Sequence, residues 1–161
     1  MKKNLFIPII LLLLTIATVY IYQLRKGDLL EKKIIQWINT KCDSTSPDPC
    51  IINMSDLTNF KWDKMYAFRA GSISKELNGR FSAVKGDDMF SRKIIFVKDN
   101  KIILFQRMKT DLEKIVNGGV YFDIPSRMNY EEYTQESAIF SVKRIEGKKS
   151  YFELTRIMIK T

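Results

Sequence analysis

The chain contains no histidine, and its 161 residues include only two cysteines, four prolines and seven glycines. Without histidine it lacks the commonest general base, the serine–histidine and cysteine–histidine catalytic arrangements, and the usual nitrogen ligand of zinc. Neither common type of glycine-rich phosphate loop occurs, and Gly118-Gly119 is an isolated pair. These absences predict that the protein is not an enzyme and that it needs no cofactor and no metal ion.

Positive charge is in moderate excess over negative charge. The chain has 27 lysines and arginines against 18 aspartates and glutamates, a formal net charge of +9. The basic residues are spread as singles and pairs, such as Lys148-Lys149, among acidic ones, and this pattern is unlike the continuous basic stripe of nucleic-acid-binding proteins. The charge favours an acidic protein partner or an anionic lipid surface, and no nucleic-acid partner is predicted.

The N-terminal region contains an uncharged run. Residues 5–22 are 18 residues without a charge, and at about 1.5 Å per helical residue they span roughly 27 Å, close to the hydrocarbon core of a bilayer. A cleaved signal peptide, with its apolar region at residues 6–14, is the alternative interpretation. We expect a transmembrane anchor within residues 1–26, one periplasmic domain in residues 27–161, and a single-pass location in the inner membrane.

The two cysteines, Cys42 and Cys50, flank seven residues of turn-forming composition in CDSTSPDPC. In an oxidising compartment this spacing favours a disulfide, whereas in the cytosol the thiols would stay reduced. Positive charges counted on the two sides of the apolar run place the domain in the cytosol, but a short basic tail before such a run is typical of an export signal. We expect export and a disulfide that stabilises the fold by roughly 2.5 kcal/mol.

The segment LLEKKIIQWINTK predicts an amphipathic helix. Leu30, Ile34, Trp37 and Ile38 recur at helical spacing, with charged residues on the other side. The apolar side is expected to pack on a sheet, and a position flat on a bilayer is the alternative. In the packed arrangement Trp37→Ala would cost about 3 kcal/mol as a cavity mutation.

Most of the remaining chain predicts short strands. Residues 92–107 form two β-rich runs joined at Asp99-Asn100, a pair that tolerates the positive φ of a tight hairpin turn. A second hairpin is expected from residues 138–144 and 150–157, a further strand from residues 119–124, and a short helix from residues 74–78. The predicted fold class is α+β, in which the amphipathic helix packs on a mainly antiparallel sheet of about five to six strands.

The segment SDLTNFKWDKMYAF places four aromatic residues at alternate positions, which predicts a strand. One interpretation is a core strand whose aromatic face packs under the first helix, with an aspartate binding a backbone amide. The other is an exposed aromatic surface that recognises a partner. The motif consists of Phe60, Trp62, Asp63, Tyr66 and Phe68.

Together with KIIFVKDNKIILF and VYFDIP, this motif resembles a family of small uncharacterised exported or membrane-anchored proteins of Gram-negative bacteria. The family has an aromatic-Trp-Asp-x-x-Tyr-x-Phe core followed by an apolar hairpin. The resemblance extends from Ile35 to about Phe152 and includes the cysteine pair. It implies an exported location and a similar fold, and it implies no particular activity.

The predicted function is binding. The segment SRMNYEEYTQES, residues 126–137, is expected to be an exposed loop in which Arg127, Tyr130 and Tyr133 contact a partner, together with Lys148 and Lys149. We expect a membrane-tethered periplasmic protein-binding module, such as an immunity or inhibitor protein. The alternative is a structural or stress-related envelope component that binds lipid or an envelope complex.

Overall fold

The computed structural model describes residues 30–42, 49–69, 91–108 and 116–158. The described part of a helix, α1, covers residues 30–41, and a short helix, α2, covers Met54–Leu57. The strands are β1 Cys50–Asn53, β2 Lys64–Phe68, β3 Lys93–Lys98, β4 Lys101–Arg107, β5 Val120–Phe122, β6 Tyr130–Tyr133, β7 Ile139–Ile145 and β8 Tyr151–Arg156. The helix predicted at residues 74–78 and the domain boundary predicted between residues 26 and 27 lie outside the described residues.

These strands form two four-stranded sheets. Sheet A has the order β1-β7-β8-β5, and sheet B has the order β4-β3-β2-β6. All neighbouring strands are antiparallel except β5 and β8, which pair in parallel. The predicted α+β fold with one sheet of about five to six strands is therefore wrong. It was wrong because β1 and β6, which carry no strong strand pattern, were not counted and the remaining strands were assigned to one layer.

The hairpin predicted at residues 92–107 is confirmed as β3 and β4. Asp99 and Asn100 form its turn with φ of 48° and 57°, the left-handed region that aspartate and asparagine tolerate better than most residues. The carboxylate Oδ2 of Asp63 accepts a hydrogen bond from the backbone N–H of Asp99 at 2.7 Å. The prediction that an aspartate of this segment binds a backbone amide is thus confirmed for Asp63.

The predicted amphipathic helix is confirmed as α1. Leu30, Ile34 and Ile38 are buried in the main core, whereas Trp37 is only partly buried and packs against it. At the end of α1, Cys42 forms a disulfide with Cys50 at the start of β1, and their Cα atoms are 5.4 Å apart. The covalent bond therefore connects α1 directly to sheet A.

The main core lies between the inner faces of the two sheets and α1. Phe140 of β7 contacts the ring of Phe122 at 5.1 Å and the ring of Tyr133 at 5.0 Å, so it joins sheet A to β6 of sheet B. Trp62 and Phe96 meet edge to face at 5.2 Å. Each such pair contributes about 0.5–1.5 kcal/mol beyond the area that it buries.

The aromatic motif is divided between two faces of sheet B. Trp62 lies in the main core and Phe60 packs against it, whereas Tyr66 and Phe68 belong to a second buried cluster with Ile95 and Val97 on the opposite face. The predicted single aromatic face under α1 is therefore wrong. Strand geometry begins only at Lys64, so the alternation that precedes it does not keep the four rings on one side.

None of the helices in residues 30–42, 49–69, 91–108 and 116–158 is long and apolar enough to cross a bilayer. The predicted membrane segment, residues 5–22, lies outside these ranges. The prediction of a single-pass inner-membrane protein with a periplasmic domain accordingly finds no support in the structure and is not retained.

The side chains of α1 differ in burial, and we therefore expect substitutions at these positions to lower the stability of the fold by different amounts. Ile34 has no exposed surface, so Ile34→Ala should lower the free energy of unfolding in urea by about 2–5 kcal/mol. Trp37 is partly exposed, and Trp37→Ala should cost less than Ile34→Ala, below about 2 kcal/mol. Gln36→Ala, at an exposed position of the same helix, is the control and should change stability by no more than about 0.5 kcal/mol. A larger loss for Trp37→Ala than for Ile34→Ala would contradict this packing.

Gln106 of β4 is a polar side chain in the core. It lies opposite Ile94 in the β3–β4 register, it has no exposed surface, and neither atom of its amide has a hydrogen-bond partner among the described residues. A buried amide without a partner costs about 1–3 kcal/mol in mutational studies. Gln106 therefore weakens the sheet edge that it occupies.

Replacing Gln106 by a side chain of similar volume without the amide should stabilise the fold. We expect Gln106→Met to raise the free energy of unfolding by about 1–2 kcal/mol, because the unpaired polar atoms are removed and the cavity stays filled. The matched control is Gln135→Met, because Gln135 donates a hydrogen bond to the carbonyl of Trp62; this change should lower stability by about 1 kcal/mol. Loss of stability in both variants would show that the Gln106 amide is paired in solution.

Candidate functional site: a basic end of sheet A

The segment predicted to be a contact loop, residues 126–137, contains strand β6. This strand pairs with β2, with Tyr130 opposite Phe68 and Tyr133 opposite Met65. Because side chains alternate along a strand, Glu131 and Tyr133 point to the main core and Tyr130 points to the opposite face. The loop interpretation is wrong for these residues, and their side chains are largely committed to the fold.

Tyr133 is 1% exposed and does not lie on the surface. Its hydroxyl donates to Glu131 Oε2 at 2.7 Å, and Arg156 Nη1 donates to Glu131 Oε1 at 3.0 Å. The Arg156 guanidinium also lies 5.4 Å from the centre of the Tyr133 ring. Since Glu131 and Tyr133 belong to β6 and Arg156 belongs to β8, this cluster fastens sheet B to sheet A.

The other two predicted contacts in this segment differ in exposure. Tyr130 is partly buried, and its ring packs 5.3 Å from Phe68 and 6.0 Å from Tyr66. Arg127 is exposed in a turn that is closed by a hydrogen bond from Met128 N to the carbonyl of Pro125 at 2.8 Å. Of the three residues, Arg127 alone presents a mostly accessible side chain.

Arg127 and the pair Lys148-Lys149 lie at opposite ends of sheet A. The two lysines are exposed in the turn between β7 and β8, and this turn adjoins the start of β5 through a hydrogen bond from Gly118 N to Ser150 O at 2.7 Å. Arg127 follows the other end of β5. Because β5 runs parallel to β8, the two positions are separated by about the length of β8, on the order of 20 Å. The predicted contacts therefore do not form one surface.

The structure instead gathers basic residues from three segments at the Lys148-Lys149 end. Lys32 comes from α1 and Arg144 from the end of β7. Like Lys148 and Lys149, both side chains are exposed. The Arg144 guanidinium lies 5.2 Å from the ring centre of Phe152, a cation–π contact that restrains it. We call Lys32, Arg144, Lys148 and Lys149 the basic end; Glu146 is an exposed acidic residue in the same turn.

A groove of about 120 Å³ adjoins the basic end. It lies between residues 31–35 of α1 and the segment that leads into β5. Its lining consists of Glu31, Lys32, Ile35, Val116, Asn117, Gly118 and Gly119. Glu31 is 4% exposed, and its Oε1 accepts a hydrogen bond from Val120 N at 3.4 Å. This contact connects the part of α1 that carries Lys32 to sheet A.

The backbone around the groove depends on the glycine pair and on Asn117. Gly118 has φ of +74°, and a Cβ at Gly119 would lie 3.1 Å from the carbonyl oxygen of Val116, so both positions favour glycine. Asn117 Oδ1 accepts hydrogen bonds from the N–H and the hydroxyl of Ser150, each at 3.0 Å. These bonds fix the β7–β8 turn, and its two lysines, relative to the groove.

Lys32 and Arg144 were missed as site residues, because each is an ordinary basic residue in its local sequence. The parallel pairing of β5 with β8 and the contact of α1 with β5 bring Lys32 near Lys148-Lys149. Arg144 is brought there by the β7–β8 hairpin. The pair Gly118-Gly119 could have indicated an unusual backbone conformation, but it does not predict which strands lie next to it. Among the residues that the structure describes, no three Asp, Glu or Cys side chains are grouped so that they could hold a metal ion.

Comparison with protein-family models, with curated proteins and with solved structures finds no match to this chain. The resemblance of the Phe60–Phe68 motif to small exported proteins therefore stays a prediction.

The cluster of Tyr133, Glu131 and Arg156 makes the stability of the fold depend on pH. Burial, reinforced by the hydrogen bond to Glu131 and its negative charge, raises the pKa of Tyr133 well above its ordinary value. In the unfolded chain the phenol ionises near pH 10, so the protonated form is favoured by folding. The contribution is complete below about pH 10 and is lost as the pH rises above it.

Tyr133→Phe should remove this alkaline contribution. At pH 8 the variant should be less stable than the unmodified protein by about 1–2 kcal/mol, because Glu131 loses a donor. Above about pH 10 the difference should shrink by up to about 1.4 kcal/mol per pH unit. The measurement is the free energy of unfolding in urea between pH 8 and pH 11.5, with Glu131→Gln, which retains the phenol, as the control that should keep the alkaline decline. Parallel curves for Tyr133→Phe and the unmodified protein would contradict the assignment.

Proposed function

We propose that the protein acts by binding an acidic partner protein through the basic end, in the manner of an immunity or inhibitor protein. The observation that carries the proposal is the position of four basic residues from three segments of the chain. Lys32 lines the groove, and the groove residues Asn117 and Gly118 are hydrogen-bonded to Ser150, next to Lys148-Lys149. Arg144 lies at the same end of the β7–β8 hairpin, opposite Phe152. Lysines scattered over the whole surface would not face a partner from one side of the molecule. These four are attached to the same pair of strands and to the helix that packs on them.

The basic end is held rigidly enough to recognise a partner. Asn117 and Gly118 fix the β7–β8 turn, and Phe152 restrains Arg144. A preorganised surface loses less conformational entropy on binding than a mobile one. Positive charge on such a surface also accelerates association with an acidic partner and discriminates against basic ones.

The alternative function is a structural or stress-related envelope component that binds lipid. The same four basic residues would attract an anionic bilayer, so charge alone does not separate the two functions. The groove beside Lys32 favours a protein partner, because it offers a shaped concavity between Ile35 and Gly119 that a side chain can enter. A flat lipid surface would not fill this groove.

Variants at the two opposite ends of sheet A can be compared, one as the test of the basic end and the other as its control. A photo-crosslinking residue at position 149 in the native cells should capture the partner, and binding of the purified pair can then be measured. Lys148→Glu with Lys149→Glu should weaken binding about tenfold or more at low salt, mainly by slowing association, and the effect should diminish at high salt. Arg127→Glu, at the far end of the sheet, should change the affinity less than about twofold.

Two results would contradict the proposal. One is an equal loss of affinity for Arg127→Glu and for the double lysine variant, which would place the contact elsewhere. The other is the absence of any crosslinked protein together with binding to vesicles that contain anionic lipid and its loss in the double variant, which would favour the envelope component. Retained cooperative unfolding in all variants is the control for folding.

A further inference from the structure

A second groove, of about 380 Å³, lies between α1 and α2 and shares no lining residue with the groove at the basic end. The α1 wall is formed by one stripe of the helix, at the spacing of successive turns: Lys33, Gln36, Trp37 and Thr40. The opposite wall is formed by the end of α2 and the turn after it: Asp56, Leu57, Thr58 and Asn59. Its volume falls in the range of small-molecule sites, roughly 300–1,000 Å³.

Both walls of the α1–α2 groove are fixed by the fold. The disulfide joins Cys42, which follows α1, to Cys50, which begins the strand that leads directly into α2. On the second wall, the buried Trp62 donates its Nε1–H to Thr58 Oγ1 at 3.0 Å. Asn53 caps the start of α2 by accepting from Ser55 N at 3.0 Å. The groove is therefore preorganised, and a ligand would not have to order its walls.

The lining combines one aromatic ring with polar side chains that are not used by the fold. Trp37 is partly exposed at the groove while it packs against the core. The side chains of Gln36, Asp56 and Asn59 line the groove at exposed positions, where their polar atoms are accessible to a ligand. With Lys33 they offer both donors and acceptors, and the charges of Lys33 and Asp56 cancel.

This composition excludes several kinds of ligand. A phosphate or other strong anion would meet the carboxylate of Asp56 as well as Lys33, and a purely apolar ligand would bury polar groups without partners. An extended peptide would need an open strand edge for its main chain, and no strand residue lines the groove. An amphipathic helix would need several apolar anchors, whereas Trp37 and Leu57 are the two apolar residues in the lining.

We infer that the α1–α2 groove binds a neutral saccharide, a mono- or disaccharide unit. A pyranose ring has an apolar C–H face that can stack on the indole of Trp37, and its rim of hydroxyls both donates and accepts hydrogen bonds. The carboxylate of Asp56 and the carbonyl oxygens of Gln36 and Asn59 can accept from those hydroxyls, and the two amide NH₂ groups and Lys33 can donate to them. This site is separate from the basic end. The saccharide would be bound there without the formation or cleavage of a covalent bond.

The test is a titration of the full-length protein with neutral sugars. The probes are glucose, galactose, mannose and N-acetylglucosamine with their α- and β-linked disaccharides. Binding is followed by calorimetry and by the tryptophan fluorescence, to which Trp37 and Trp62 both contribute. At least one probe should bind with a Kd below about 10 mM. Trp37→Ala should weaken that binding at least tenfold, and Gln36→Ala and Asn59→Ala should each weaken it about threefold to tenfold.

Three controls keep the result interpretable. Trp37→Phe retains a ring and should retain most of the affinity, which separates stacking from a general loss of structure. Asn39→Ala, at an exposed position of α1 outside the groove lining, should have no effect. Lys148→Glu with Lys149→Glu should also leave sugar binding unchanged, so that failure of one proposal does not imply failure of the other.

Absence of binding by every probe up to about 10 mM would overturn the inference. So would binding that is unchanged in Trp37→Ala, or binding that Asn39→Ala weakens as much as Asn59→Ala does. Selective binding of an anionic sugar such as glucuronic acid, with no neutral sugar bound, would also contradict it, because the lining predicts a neutral ligand.

Discussion

Strand β3 is buried on both of its faces, and covering these faces is the constraint on which the rest of the architecture depends. Ile94 and Phe96 point into the main core, and Ile95 and Val97 point into the second cluster. A sheet with two apolar faces must be covered by other layers. On the face of Ile94 and Phe96, α1 contributes a single stripe of buried residues and sheet A supplies the remaining cover. On the opposite face, Ile95 and Val97 pack with Tyr66 and Phe68 of β2. The Glu131–Arg156 ion pair then fastens the two sheets at their margin.

The local parts of this architecture were predictable from sequence because their signals are local. The Asp99-Asn100 turn specifies its hairpin by tolerating positive φ, and the spacing of Leu30, Ile34 and Ile38 specifies the buried side of α1. Two edge strands, β1 and β6, were not predictable in this way. β6 has the sequence YEEY, with two acidic residues at its centre, and it is a strand because β2 pairs with it. Its Glu131 is partly buried and forms an ion pair with Arg156, a partner distant in sequence.

The candidate site was predictable only in part, for a related reason. Lys148-Lys149 could be identified in a turn between two expected strands, but its neighbours depend on the parallel pairing of β5 with β8. Parallel strands are joined by long connections and carry no short-range turn signal. The sequence therefore could not show that Gly118 lies beside Ser150, or that Arg127 lies at the other end of the sheet. The prediction that Arg127 and the two lysines contact one partner assumed that they are close together. Their distance depends on the register of the strands between them.

α1 is the one element that contributes to both proposed sites, through Lys32 at the basic end and through Trp37 at the α1–α2 groove. Coupling between the sites would require α1 to shift between two positions that the two ligands prefer differently. The buried side chains of Leu30, Ile34 and Ile38, the contact of Glu31 with Val120 and the disulfide at Cys42 all oppose such a shift. Because these contacts hold the described part of α1 in one position, we expect occupancy of one proposed site to leave the affinity of the other unchanged.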